Sequence, residues 1–183
     1  MHIIHKSMNT EEQKKQNKQK AFEQLIAQSS DEVIIGSLEE LRESGENFMV
    51  PMLTQLIFSE RSENLKQSVA NFLVDLKNQS SANDIVRVIK ENYNSPYIKD
   101  AVTICWQSRL SFNEFIDLFL NLFIEKDFET SFEALSVIEN ALETLPKEKI
   151  NAIYSRIEGE LQNLTSTKKE LAHQALIAME GYK

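Results

Sequence analysis

Glycine is scarce in this chain of 183 residues, with four, and proline scarcer still, with three. A many-stranded β fold needs frequent tight turns built on those residues. Their shortage argues for long helices joined by short polar connections. Gly36, Gly45, Gly159 and Gly181 also stand too far apart to make a phosphate-cradling loop. A single cysteine, Cys105, excludes an intramolecular disulfide, and no Cys/His zinc spacing exists. The opening MHIIHKSMNTEEQKKQ breaks its apolar run at His5 and Lys6, which reads against a signal peptide. A cytoplasmic protein with no cofactor and no metal is the expectation.

Positive charge is also short. The net charge is −8, yet residues 1–20 hold five lysines against two glutamates, so the remaining 163 residues carry −11. An acidic body of that kind repels a phosphate backbone, and nucleic acid is not an expected partner. Charged residues at 26% and hydrophobic residues at 42% are otherwise ordinary for a globular chain. The length is enough to bury about 70% of the unfolded surface. The simplest organisation is a disordered start over residues 1–9 and one domain over 10–183. Lysine, asparagine and isoleucine are plentiful, a usage typical of AT-rich bacterial genomes.

What the chain does have is a repeated helix start. A capping box pairs a Ser or Thr with a Glu or Gln three residues on. Thr10/Gln13, Ser29/Glu32, Ser111/Glu114, Thr130/Glu133 and Thr167/Glu170 all fit, and Ser95-Pro96 and Pro146 mark two more starts. They predict ten helices: 10–28, 30–44, 47–59, 62–78, 82–93, 96–109, 112–127, 131–144, 147–163 and 168–180. Every second helix carries apolar residues at i, i+3, i+4 and i+7. Aligning Leu38, Val69, Val102, Ile138 and Ala172 gives steps of 31, 33, 36 and 34 residues. A sustained period in the thirties with two helices per unit is the signature of an α-solenoid.

MVPMLTQLIFSERSENLKQSVANFLVDL, residues 49–76, resembles a HEAT repeat, with Pro51 in its first helix and a Val/Ala/Leu pattern in its second. PYIKDAVTICWQS resembles another second helix of that family. The resemblance spans residues 29–180. Lys66 and Lys99 stand where the family's ladder has a basic residue, whereas Leu135 and Ser136 depart from it. The tetratricopeptide Trp-Leu-Gly-Tyr pattern is absent. The resemblance implies an all-α, right-handed α-α superhelix (solenoid) of about five antiparallel helix pairs. It also implies that second helices line the concave surface.

SFNEFIDLFLNLFIEKDF, residues 111–128, is the most apolar stretch. Glu114, Asp117, Asn121 and Glu125 form one narrow polar stripe on an otherwise apolar helix. A membrane span of about 20 uncharged residues is broken at Asp117. A repeat sandwiched between neighbours needs a helix apolar on three sides, so the phenylalanines are expected in the core.

The chemical candidates are few. Glu170 and His173 fit Glu-x-x-His, but a di-iron site needs a second copy and two further glutamates. Cys105 beside Trp106 lacks a histidine base in its own or neighbouring repeats, so a buried structural cysteine is the preferred reading. Residues 10–28, basic and polar before Phe22, read as a terminal cap ahead of a basic binding arm. Acidic and polar residues on second helices, Glu39, Glu43, Asn71, Asp75, Gln107, Glu139 and Glu143, would face one groove suited to a basic peptide. A non-enzymatic protein-binding or scaffolding module is therefore the leading expectation. Two alternatives are weighed beside it. One is an enzyme of the HEAT-like DNA glycosylase type, disfavoured by the acidic body. The other is self-association as a homo-oligomer.

Overall fold

The computed structural model describes the backbone of residues 3–44 and 47–183, and the side chains of residues 11–42 and 47–183. Among the described residues the chain forms ten α-helices and two short 3-10 turns, with no strand. The helices are α1 (Ile3–Gln28), α2 (Asp31–Ser44), α3 (Met49–Ile57), α4 (Glu63–Val74) and α5 (Ser81–Glu91), then α6 (Ile98–Gln107), α7 (Ile116–Glu125), α8 (Phe128–Ala141), α9 (Lys147–Glu160) and α10 (Ser166–Glu180). Each of the ten expected helices forms, mostly shorter than its sequence pattern. The apolar register also holds, since Leu38, Val69, Val102, Ile138 and Ala172 are all buried.

Helix starts are where local reading and structure differ. Ser30, not Ser29, immediately precedes α2, and its side chain is bonded to Glu32. The cap of α8 is Asp127, whose carboxylate accepts from the Thr130 amide at 3.0 Å and from its hydroxyl at 2.9 Å. Aspartate caps as well as threonine does, and here it lies three residues nearer the preceding helix. That leaves Thr130 inside the helix and Glu133 available for another partner. The segment opening at Ser111 begins as a 3-10 turn, Asn113–Phe115, before α7. Thr10, with the expected first box, lies outside the described side chains. So do the side chains of the expected disordered start.

The chain divides into two compact units, Met1–Leu73 and Val74–Lys183. In the first, α1 packs on α3, and Phe22 meets Phe48 edge-on with ring centroids 6.5 Å apart. Arg61, in the α3–α4 turn, donates to the carbonyls of Ile26 (2.7 Å) and Ser29 (3.0 Å) and to Asp31 (2.9 Å). One guanidinium thus satisfies orphan carbonyls at the end of α1 and anchors the start of α2. The Ser62 amide completes the arrangement on the other oxygen of Asp31 at 2.9 Å.

In the second unit α8 packs on α6, α7 and α10, while α9 packs on α7 and α10. Phe112, Phe119 and Phe123 are buried, with Phe112 edge-on to Phe119 at 5.8 Å. The last carbonyls of α7 are satisfied from outside the helix. Ser131 donates to Phe123, and the buried Lys168 of α10 donates to Ile124 (2.7 Å) and Lys126 (2.8 Å). Phe128 breaks the expectation that every phenylalanine of 111–128 is core, because it is 46% exposed. Phe115 is only half-buried, with Lys90 over its ring.

The polar stripe of α7 is not simply solvated. Asp117 accepts from Lys149 at 2.7 and 2.8 Å, Asn121 from Arg156 at 2.6 Å, and Glu125 from the Tyr93 hydroxyl at 2.8 Å. These bonds join residues 32 or 35 apart. Gln79–Ser111, Asn94–Lys126 and Asn113–Thr144 repeat the pattern at 32, 32 and 31. The polar bonds therefore carry the same period as the apolar register.

Candidate functional site

α8 presents the face on which several of the expected site residues meet. Its buried residues, Thr130, Ser131, Ala134, Leu135, Val137, Ile138 and Ala141, occupy one side. At about 100° per residue, Phe128, Phe132 and Glu139 fall within a narrow arc at one edge of that side, next to Leu135, and Glu143 follows in the turn beyond. All four are exposed, Phe132 at 49%. The helix carries Glu129, Glu133 and Glu139 and no basic residue. Glu139 is exposed as a residue, but partial desolvation still raises its carboxyl above the ordinary 4.5.

The edge of α8 toward α6 is already used. Glu129 pairs with Lys99 at 3.2 Å, Glu133 takes the Trp106 indole N–H, and Asn140 donates to the Trp106 carbonyl at 3.0 Å. Trp106 is thus half-buried and held at two levels of α8. Lys99 links α6 to α8, whereas Lys66 is buried and bonded to Glu63 within its own helix at 3.4 Å.

The other expected residues are dispersed. Glu39 is exposed on α2 and pairs with Arg42 at 3.6 Å, and Asn71 on α4 accepts from Gln67 at 3.1 Å. These two belong to the first unit; the side chain of Glu43 lies outside the described residues. Asp75, Gln107, Glu139 and Glu143 belong to the second unit and are exposed. Gln107 ends α6 next to Trp106, which ties that end to α8 through Asn140. The residues missed from sequence are Phe128 and Phe132. Their phase gave no clear signal, because at about 100° per residue they fall at the edge of the apolar arc, beside the buried Leu135.

An open cleft of about 330 Å³ lies on the α6 edge of α8, lined in part by Trp106, Arg109, Asn113, Asn140 and Thr144. Its side-chain amides are engaged: Asn113 donates to Thr144 at 2.8 Å and Asn140 to the Trp106 carbonyl. Cys105 lines it too, but burial pushes its thiol far above the ordinary value, the reverse of an activated nucleophile. Glu170 and His173 are exposed on α10. Among the described residues no three His, Cys, Asp or Glu side chains group as a metal site, and no helix is long and apolar enough to cross a membrane. No protein-family model, curated protein or solved structure matches the chain.

Proposed function

We propose that this chain is a non-enzymatic protein-binding module whose helix pairs stack as a HEAT-like, right-handed solenoid. On this reading α6, α8 and α10 are the second helices of successive pairs, and α5, α7 and α9 the first. The recurrence of polar bonds at 31 to 35 residues, in step with the buried register, supports it. The observation that carries the function is the exposed face of α8, where two phenylalanines stand beside the exposed Glu139. Large apolar side chains clustered in the open mark interaction sites, and acidic neighbours select a basic partner. A basic amphipathic peptide or helix is the complementary ligand.

Affinity purification with mass spectrometry tests the reading with three baits. They are the wild-type chain, a face variant (F132A/E139K/E143K) and a control variant on another helix (E158K). A protein captured by wild type and control but lost from the face variant is the expected result. Equal capture by all three baits, or capture by none, would count against the module.

A further inference from the structure

In the first unit α1 packs on α3 and also carries a long exposed stretch. Residues 11–21 of α1 are exposed on every side, and burial begins only at Phe22. A helix polar all round gains nothing from tertiary packing, and a stretch this short is marginal alone in water. Residues 11–20 hold four lysines against two glutamates, and Lys14, Lys15 and Lys18 share one face. This is the charge opposite to that of α8.

We propose that this arm of α1 docks on the Phe128/Phe132/Glu139 face of α8 in a second copy of the chain. The inference rests on reading that face as a site for basic segments. Lysine suits both halves of the face: its methylene stem covers an aromatic ring while its ammonium reaches a carboxylate. The chain uses the same device internally. Lys126 lies 4.0 Å over the Tyr93 ring, and Lys90 lies 5.8 Å over Phe115. The lengths also agree, since ten helical residues span about 15 Å and α8 about 21 Å. Each chain carries both the arm and the face, so the pairing is self-complementary.

Light scattering after size exclusion tests this on the full chain. Wild type should exceed 21.1 kDa with rising concentration and fall back to it in high salt. The arm variant K14E/K15E/K18E and the face variant E139K/E143K should each stay at the monomer mass. Mixing the two variants should restore association, because each supplies the charge the other has reversed. Wild type that remains monomeric at about 1 mM in low salt overturns the proposal. So does a mixture that stays monomeric, or variants that associate as wild type does. A monomeric chain that still captures a partner through α8 would separate failure of this inference from failure of the binding module.

Discussion

Arg61 ties the end of α1 to the start of α2 in the first unit. Its three acceptors lie on the end of α1 and the start of α2, and a lysine ammonium cannot span them in one plane. Arg61→Ala is expected to cost about 2 kcal/mol in urea unfolding, with Arg61→Lys recovering only part of it. The Asp31 carboxyl is held below its ordinary value, first by Ser62 and then by Arg61. A depressed carboxylate stabilises the fold above its unfolded value and loses that contribution as pH falls through the folded value. Urea midpoints measured from neutral pH downward should therefore fall less for Asp31→Asn than for wild type over the range below about 4. Cys105 offers a third check. A buried thiol with a raised value should resist a thiol reagent in the native chain and react stoichiometrically once unfolded.

α7 and α8 show two opposite uses of phenylalanine. Phe119 is fully buried between neighbouring helices, and Phe119→Ala should cost about 3–5 kcal/mol. Phe132 is half-exposed on α8, and Phe132→Ser should change stability by about 0.5 kcal/mol or less while weakening partner capture. Chemical unfolding of the two variants distinguishes the core from the face. All ten helices were legible because their apolar periods agree and seven of them also carry a start signal. The starts themselves were blurred because Ser29 and Ser30, or Asp127 and Thr130, offer competing caps a few residues apart. Phe128 was misplaced because the apolar run of α7 hides the turn at Lys126–Asp127, after which the helical phase is reset. The bonding of the α7 stripe was not legible at all, since its partners, Tyr93, Lys149 and Arg156, lie more than thirty residues away or on the far side of a turn.

Across the whole molecule, one period governs two kinds of interaction. Apolar positions recur at steps in the thirties and are buried, while in the second unit several polar bonds join residues at similar spacing. The charge is uneven as well, with a basic arm and an acidic remainder. Of the acidic residues expected in a binding groove, Glu139 lies beside exposed aromatic side chains, and the sequence alone could not single it out.

The most direct test of the binding face is an NMR titration of the labelled full chain with a lysine-rich amphipathic helical peptide. A matched peptide with glutamate in place of lysine serves as control. The account predicts saturable shift changes concentrated at residues 128–143 with the lysine peptide, weakening as pH falls through the raised value of Glu139, and none with the control. Shifts centred on α7 and α9, or equal responses to both peptides, would contradict it.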